Sequence, residues 1–266
     1  MRCWIVLAGL LLSAAPLRGQ QGPPTAAAYA LFALEDVVLG PGARVDAGAV
    51  GANRGEVRLG PGVRVAGSVA ADTIRVAPRV RAAALFCRVV IGPHRFACGA
   101  LSVPVVDVGT LALVQVVPGA ADVHVPARAA AAPLAAGAYG RARVGPRGRL
   151  LLAGGDYAFR SIALAPTARL LCAAPCRVQV EDAVVIGRRA ILGPAAPLDA
   201  TAVRLDVEAA ARRAGFVARA DAVVGAAVYA PETAVVVASR ARVAGSLLGR
   251  TVTLGAGARV TAGSAG

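Results

Sequence analysis

Residues 39–48 read LGPGARVDAG, and residues 59–68 repeat this phrase as LGPGVRVAGS twenty positions later. The phrase returns near the end of the printed sequence, where residues 254–260 read LGAGARV. Each copy places a Gly or Pro corner after a short aliphatic stretch and follows the corner with an Arg-Val pair. Repeats of about twenty residues that combine short strands with such corners are typical of β-solenoids, in which each repeat forms one rung of a stack. The sequence therefore predicts an all-β parallel solenoid.

The spacing of the repeats varies from rung to rung. Residues 57–59 align with residues 74–76 at a spacing of seventeen, against twenty for the preceding step. Residues 137–140 (GAYG) align with residues 155–158 (GDYA) at a spacing of eighteen. We therefore expect rungs of about 17–20 residues that differ by a loop of a few residues. A six-residue period is missing from the sequence, which argues against a left-handed hexapeptide helix.

Composition and repeat quality divide the chain into five stretches. The repeats themselves form either one continuous array or two solenoid halves. They are a signal peptide at 1–19, a linker with an N-terminal cap at 20–34, a first solenoid half at 35–100, an irregular Pro-rich crossover at 101–133 and a second half at 134–266. The apolar residues 26–34 fit either a first strand or a helix that covers an open end of the solenoid. Residues 203–214 begin with strand-like alternation and continue with a helix-forming composition.

The first nineteen residues have the order of a secretory signal. Arg2 precedes an apolar run from Trp4 to Leu12, and small residues with a polar exit follow. This run is too short to cross a bilayer as a helix, and no later run is long and apolar enough to do so. We therefore predict a chain without a transmembrane segment that is secreted or held at the cell surface, with the periplasm as the alternative compartment.

Arginine supplies all 29 basic side chains, and the formal net charge is +14. Ala, Gly, Val, Arg and Pro dominate the sequence, so this charge reflects either selection or the codon bias of a high-GC genome. A net charge of this size favours association with polyanions. We expect acidic polysaccharides or other envelope polymers as partners. Because only 4% of the residues are aromatic, stacking platforms for single-stranded nucleic acid are scarce, and no specific nucleic-acid partner is predicted.

Several arginines alternate with small or aliphatic residues, a pattern that places them on one face of a strand. An unpaired guanidinium inside a narrow core would cost several kcal/mol, so these side chains are expected to face solvent. The candidate polyanion-binding pairs are Arg79 and Arg81, Arg141 and Arg143, Arg147 and Arg149, and Arg240 and Arg242.

Four cysteines follow the signal-like segment, namely Cys87, Cys98, Cys172 and Cys176. In an exported chain an even number of cysteines indicates disulfides, and four cysteines allow three pairings. Proximity favours Cys87–Cys98 and Cys172–Cys176. The close spacing of the second pair would also suit half of a zinc site, but the first pair lacks the usual ligand spacing. We therefore predict neither a metal nor a cofactor.

One pair of carboxylates provides an enzymatic alternative. Asp182 and Asp199 are seventeen residues apart, and stacking on adjacent rungs would bring them to roughly 5 Å, the separation used by retaining glycosidases. The alternative function is thus a carbohydrate-active enzyme, either a polysaccharide lyase or a glycosidase. The simpler interpretation is two exposed carboxylates at turns, paired with Arg188 or Arg189.

Other catalytic signatures are missing from the sequence. It contains no G-x-S-x-G elbow, Walker loop or G-x-G-x-x-G motif, and its histidines, His94 and His124, are isolated. We therefore predict a structural or adhesive protein rather than an enzyme.

Two groups of phrases resemble known families. The L-G-P-G-x-R-V rungs are similar to those of bactofilins, which are polymer-forming β-helix proteins. The segment 225–257, with its V-Y-A-P and G-S-L-L-G-R phrases, resembles the C-terminal β-helical domain of bacterial pilus-associated surface proteins. These resemblances imply a right-handed parallel β-helix with a structural or surface role, and they carry over no catalytic residues.

The C-terminal repeat suggests self-assembly. Only six residues follow Val260, too few for a folded cap, so the last rung is expected to expose a strand edge at residues 252–260. An exposed edge can pair with another chain. The sequence therefore predicts a homo-polymer formed through terminal rungs.

Overall fold

The computed structural model describes residues 29–93, 96–100, 105, 114–208 and 215–262. These residues form 24 β-strands and one 3-10 turn, Ala200–Ala202. The strands pair in parallel and build a β-solenoid of about 11 turns. The predicted fold class is therefore confirmed. In the described part of the chain, no helix is long and apolar enough to cross a membrane.

The first part of the chain contributes ten strands and the second part fourteen. The first ten are β1 (Tyr29–Ala33), β2 (Val37–Leu39), β3 (Arg44–Ala47), β4 (Ala49–Ala52), β5 (Glu56–Leu59), β6 (Arg64–Val65), β7 (Ser68–Ala70), β8 (Thr73–Val76), β9 (Ala84–Phe86) and β10 (Val89–Ile91). The others are β11 (Val123–Val125), β12 (Gly137–Val144), β13 (Arg149–Leu152), β14 (Gly155–Leu164), β15 (Arg169–Cys172), β16 (Cys176–Ile186), β17 (Ile191–Pro194), β18 (Val203–Val207), β19 (Phe216–Ala218), β20 (Val223–Gly225), β21 (Ala227–Val237), β22 (Arg242–Ala244), β23 (Leu247–Leu254) and β24 (Arg259–Thr261).

Two sheets run along the stack and enclose its core. The long sheet has 16 strands, and its main path follows the order β10-β8-β5-β2-β23-β21-β18-β16-β14-β12-β11. The short sheet has eight strands in the order β13-β15-β17-β20-β22-β24-β3-β6. Strands β10 and β11 therefore lie at opposite ends of the stack.

Side-chain alternation explains why the rungs close around a small aliphatic core. In the Arg-Val pairs of the short sheet, the valines are buried, as in Val45 and Val260, whereas the preceding arginines face outward. In the long sheet, Val252, Val37 and Val57 lie in register on successive rungs and are fully buried. Burying one such side chain contributes about 1.5–3 kcal/mol. The repeated pattern therefore supplies both the register and the core.

The rungs are not stacked in the order of the sequence. Strand β2 pairs on one side with β5, the next rung of its own half, and on the other side with β23, near the end of the chain. Strand β3 likewise pairs with both β6 and β24. We call this contact between the first described rung and the last described rung the joint. It lies inside the stack, so both halves share one solenoid.

The joint overturns two expectations. The edge at residues 252–260 is not free, because β2 and β3 cover it. The expectation that the last rung exposes this edge is therefore wrong, because the edge is paired within the monomer. Residues 29–33 form a strand, but it pairs with β4 and β23 inside the stack, so it does not cap an end. Residues 1–28, which include the predicted signal peptide, lie outside the described residues.

The chain must pass from one end of the stack to the other between its two halves. Ala100 follows the rung at the β10 end, and the backbone is already hydrogen-bonded to the β12 rung at Gly119, four residues before β11. We call residues 100–118 the crossover. Val105 packs against Tyr29 and Phe32 on the outer surface, so the crossover contacts the side of the solenoid.

The predicted crossover boundaries differ from the observed ones. Strand β11 lies within residues 101–133, so the second half begins earlier than expected. Strand β18 forms the strand expected at the start of 203–214, whereas 209–214 lie outside the described residues.

The spacing of several rungs also differs from the prediction. Cys176 pairs with Val203 and Val184 with Phe216, steps of 27 and 32 residues against the expected 17–20. Gly137 pairs with Tyr157 and Val144 with Leu164, which makes the step twenty residues instead of the expected eighteen. The Gly-x-Tyr phrases that suggested eighteen are thus offset by two residues. By contrast, the predicted steps of twenty into residues 57–59 and of seventeen into residues 74–76 are confirmed.

The predicted disulfides Cys87–Cys98 and Cys172–Cys176 are also present.

Each rung enters the short sheet through a corner whose central residue has a left-handed backbone. Gly42 and Gly62 adopt φ of 66° and 71° there, and Arg240 takes the same conformation at 58°. The backbone N–H of this residue bonds to a carbonyl of the neighbouring corner, as Gly42 N does to Pro61 O at 2.8 Å. The corners therefore stack as regularly as the strands, whether or not they carry a side chain.

Two glycines of one corner should respond differently to substitution. An added Cβ at Gly60 would lie 2.8 Å from the carbonyl oxygen of Leu39, whereas at Gly62 it would meet nothing within 4 Å. We expect Gly60→Ala to lower the free energy of unfolding by about 1–3 kcal/mol, because the rungs must separate. Gly62→Asn should cost less than about 1 kcal/mol, because Asn tolerates the left-handed conformation. Denaturant unfolding measures both values, and equal losses would contradict the close approach of the rungs.

Candidate polyanion-binding face

The outward side chains of the short sheet form a column that consists mainly of arginine. Arg259 pairs in register with Arg44, and Arg44 pairs with Arg64. Neighbouring members are one rung apart, roughly 4.8 Å. From the β11 end to the β10 end, this strand column contains Arg149, Arg169, Ile191, Val223, Arg242, Arg259, Arg44, Arg64 and Arg81.

A second column lies two residues earlier in each rung, at the left-handed corner positions. Its members are exposed or partly exposed, and they are linked from rung to rung by the corner hydrogen bonds. In the same direction, this corner column contains Arg128, Arg147, Thr167, Arg189, Asp221, Arg240, Gly257, Gly42, Gly62 and Arg79. A non-Gly residue with positive φ is uncommon, so five arginines at equivalent corners form a distinctive feature.

Together the columns place twelve arginines along one side of the solenoid, seven in the strand column and five in the corner column. We call this surface the arginine face. Two residues along an extended strand span roughly 6.6 Å. The guanidinium groups therefore project from a grid with a spacing of about 5 Å in one direction and about 7 Å in the other.

Few carboxylates neutralise this face. Among the described residues, Asp221 pairs with Arg240 and Asp46 lies 3.5 Å from Arg259, and the other ten arginines of the face form no ion pair with a carboxylate within 4 Å. An excess of fixed positive charge on one side of a stiff body attracts anionic ligands and concentrates them near the surface. The arginine face therefore has the charge of a polyanion-binding surface.

The arginines of the long sheet are different, because most of them are paired. Glu56 accepts hydrogen bonds from Arg58 and Arg75 at 3.1 and 2.6 Å. The carboxylate of Asp206 is fully buried beneath Arg177 and Arg204, with nitrogen–oxygen distances of 2.6 and 2.8 Å. Further pairs join arginines to acidic residues on this sheet, namely Arg88 with Asp72, Arg160 with Glu181 and Arg250 with Glu35. The unpaired charge is therefore concentrated on the short-sheet side.

The arginine face has a gap near its centre. In the strand column, Ile191 and Val223 occupy two successive rungs, and 39% of Val223 is exposed. In the corner column, Asp221 stands between Arg189 and Arg240. The gap divides the face into a patch toward the β11 end and a larger patch toward the β10 end. The larger patch has five consecutive arginines in its strand column, from Arg242 to Arg81.

Asp221 is the most strongly engaged carboxylate of the face. Arg240 donates hydrogen bonds to its Oδ1 and Oδ2 at 2.8 and 3.1 Å, and Arg188 lies 3.6 Å from Oδ2. The hydrogen bonds from Arg240, together with the charges of Arg188 and Arg189, hold the pKa of Asp221 below its ordinary value. Asp221 therefore stays ionised at neutral pH and locally weakens the positive potential.

Six of the eight arginines selected from the sequence lie on this face. They are Arg79, Arg81, Arg147, Arg149, Arg240 and Arg242, and all six are exposed. Arg141 and Arg143 are exposed as well, but they belong to β12 in the long sheet. The structure therefore does not bring this pair together with the others.

Sequence reasoning missed six other arginines of the face. They are Arg44, Arg64, Arg128, Arg169, Arg189 and Arg259. Three of these, Arg44, Arg64 and Arg259, follow the corner glycine within the repeated phrase itself. Alignment of the three repeats quoted above places these arginines at equivalent positions of successive rungs. That alignment could therefore have identified them from the sequence.

The two carboxylates proposed as a catalytic pair are not stacked. Asp199 precedes the 3-10 turn and accepts a hydrogen bond from Thr201 N at 2.9 Å and another from its hydroxyl at 2.5 Å. Asp182 lies within β16, whose neighbouring rung is formed by β18 and β19. Asp199 belongs to neither strand, so it is not a register partner of Asp182 on the adjacent rung.

The hydrogen bonds from Thr201 also account for the lowered pKa of Asp199. His124 is exposed on the end rung, whereas His94 lies outside the described residues. In the described part of the chain, no three His, Cys, Asp or Glu residues are grouped as a metal site would require.

The Asp221–Arg240 pair predicts a specific titration behaviour. Its contribution to stability is present above the ordinary carboxyl pKa of about 3.9 and is lost as the pH falls through the lowered pKa. In Arg240→Gln, we expect the pKa of Asp221 to rise toward its ordinary value. Arg242→Gln, which removes the same charge two residues further along the chain, should leave the pKa of Asp221 nearly unchanged. Carboxyl-carbon NMR titration measures both, and equal shifts would show that hydrogen bonding is not the cause.

We compared the chain with protein-family models, curated proteins and solved structures. No family model matches the chain, and no curated protein or solved structure matches it significantly. The arginine face is therefore the feature of the molecule from which a function is inferred below.

Proposed function

We propose that this protein is a non-enzymatic structural or adhesive element of a bacterial cell surface that holds acidic polymers on its arginine face. The observation that carries the proposal is the in-register alignment of twelve arginines, ten of which form no ion pair with a carboxylate within 4 Å among the described residues. Guanidinium groups form short, often bidentate hydrogen bonds with carboxylates, sulfates and phosphates. A column of such groups suits a ligand with repeated negative charges.

The shape of the face favours an extended polymer over a small anion. A compact anion would contact one or two rungs, whereas the larger patch offers five stacked arginines over roughly 19 Å. Many weak contacts along one ligand add together, because each additional contact is intramolecular once the first has formed. The ligand class is therefore a linear polymer with carboxylate or other anionic groups, such as an acidic polysaccharide.

Nucleic acid is a less suitable ligand for this face. Single-stranded nucleic acid is held largely by stacking of bases on aromatic rings. Among the described rungs, neither column of the face contains an aromatic residue. Non-specific contacts with phosphates would follow from charge alone.

The proposed location follows from the N-terminal pattern and from the disulfides. The segment at residues 1–19 has the order of a secretory signal, and the bonds Cys87–Cys98 and Cys172–Cys176 are compatible with an oxidising compartment. The resemblance of the repeats to polymer-forming and surface β-helix proteins supports a structural role. Export and detection of the protein on intact cells would test the location.

Removing arginines from the face should weaken polymer binding more than removing them elsewhere. We expect the triple variant Arg44→Gln, Arg64→Gln and Arg81→Gln to lose about tenfold in affinity for a polyuronate, because three adjacent ion pairs disappear. The matched variant replaces Arg141, Arg143 and Arg160 by Gln and loses the same charge from the long sheet. Its affinity should change little.

Biolayer interferometry on the immobilised polymer measures both variants, together with the dependence on salt. Wild-type binding should weaken between about 0.1 M and 1 M salt, over which the Debye length falls from about 10 Å to about 3 Å. Equal losses in the two triple variants would show that net charge, rather than the arginine face, determines binding. Salt-independent binding would contradict the proposal directly.

Removing the carboxylate in the gap should have the opposite effect. Asp221→Asn frees Arg240 and removes a negative charge from the corner column, so affinity for the polyuronate should rise by about twofold to fivefold. Asp182→Asn removes one negative charge from the long sheet and serves as the control, with no rise expected. Weaker binding by Asp221→Asn would indicate that the polymer does not contact this face.

A further inference from the structure

The joint differs from every other rung-to-rung contact in the described stack in one respect. Elsewhere the chain continues directly from one rung into the next, whereas at the joint the last described rung meets the first one. The two halves are connected covalently only through the 19 residues of the crossover, which joins opposite ends of the stack. The joint is therefore a non-covalent interface inside a single solenoid.

The contacts at the joint are those of an ordinary rung. Across it, Gly40 N donates to Leu254 O at 2.7 Å, and Arg44 N donates to Ala258 O at 2.9 Å. Buried side chains also continue through it in register, since Val37 pairs with Val252 and Leu39 with Leu254. Because the ladder uses backbone groups and repeated aliphatic residues, the corresponding half of a second copy would present the same surface.

The outer surface of the joint carries an unfavourable contact. Arg44 stands directly opposite Arg259, and like charges at directly opposite positions destabilise a pair of strands. Asp46, at 3.5 Å from Arg259, compensates this repulsion only in part. Within the first half, Arg44 and Arg64 meet in the same way, but there the chain itself holds the rungs together. Repulsion between these arginines therefore opposes docking of the two halves at the joint.

The crossover is long enough to connect halves that lie in different molecules. A stack of about 11 turns is roughly 50 Å high at about 4.8 Å per rung. The 19 residues of the crossover can span up to about 63 Å when fully extended. The covalent connection therefore does not require that the two halves of one chain dock on each other.

We propose that the joint is a self-association surface, through which the first half of one copy docks on the second half of another. Exchange of an identical element between protomers forms dimers or open chains without any new type of contact. The edges at β1, β2, β3, β23 and β24, which are covered in the monomer, become the pairing edges of the oligomer. This inference is independent of polymer binding at the arginine face.

A disulfide trap across the joint tests the exchange. Val38 and Thr253 are register partners on opposite sides of the joint, and both are partly exposed. Their spacing of one rung lies within the range of Cα separations that a disulfide bridges. The experiment mixes two variants, Val38→Cys and Thr253→Cys, each of which also carries Cys3→Ser. The mixed chains are unfolded without reduction, refolded at high concentration and then oxidised. A covalent dimer requires that halves of different chains meet at the joint.

The matched control is a mixture of Val38→Cys and Arg58→Cys chains. Val38 and Arg58 are also register partners one rung apart, but both belong to the first half, so exchange of whole halves keeps them in one molecule. The double variant Val38→Cys with Thr253→Cys in a single chain, refolded at high dilution, shows whether the joint positions can form the bond at all.

Non-reducing electrophoresis and light scattering report the result. We expect covalent dimers or longer species in the Val38→Cys and Thr253→Cys mixture, increasing with protein concentration, and only background in the Val38→Cys and Arg58→Cys mixture. Equal dimer formation in both mixtures would overturn the inference, because it would show random cross-linking. The inference would also be overturned if the Val38→Cys and Thr253→Cys mixture stayed monomeric while the double variant formed its internal disulfide.

Discussion

Parallel stacking of rungs at a separation of roughly 4.8 Å is the constraint on which the rest of this protein depends. In such a stack each residue lies directly above its equivalent, so every property of the repeat is copied along the whole solenoid. Buried valines such as Val37, Val57 and Val252 thereby become a continuous core. The same alignment turns one outward arginine per rung into a column of charge, as Arg259, Arg44 and Arg64 show.

The two sheets differ in how far carboxylates compensate the charge of their aligned arginines. On the long sheet, carboxylates such as Glu56 and Asp206 each bind two arginines, so the positive charge is partly compensated where it arises. On the short sheet, the corner and strand columns contain twelve arginines, and only Asp46 and Asp221 pair with them in the described structure. Repulsion within these columns must be overcome by the core and the backbone ladder. An anionic ligand would relieve that repulsion, which is why this side of the molecule is the candidate site.

The order of the rungs adds a second consequence. Because the last described rung docks on the first, the solenoid is assembled from two halves that meet through β2, β3, β23 and β24. An array in sequence order would place these strands at its two ends. Here the ends of the stack are formed by β10 and β11, which come from the middle of the chain. Long-range pairing of this kind requires closure of a large loop before the joint can form.

The sequence by itself determined the all-β solenoid, the rung lengths near residues 57–76, both disulfides and the outward direction of the arginines. These features depend on local alternation, corner residues and close spacing along the chain, which a repeat displays directly. Only the tertiary structure decided the stacking order, the burial of the edge at 252–260, the lack of register between Asp182 and Asp199 and the assignment of Arg141 and Arg143 to a different sheet. Every rung of a solenoid offers nearly the same edge, so local sequence cannot specify which rung lies above which. That choice depends on contacts between residues more than two hundred positions apart, such as Val37 with Val252.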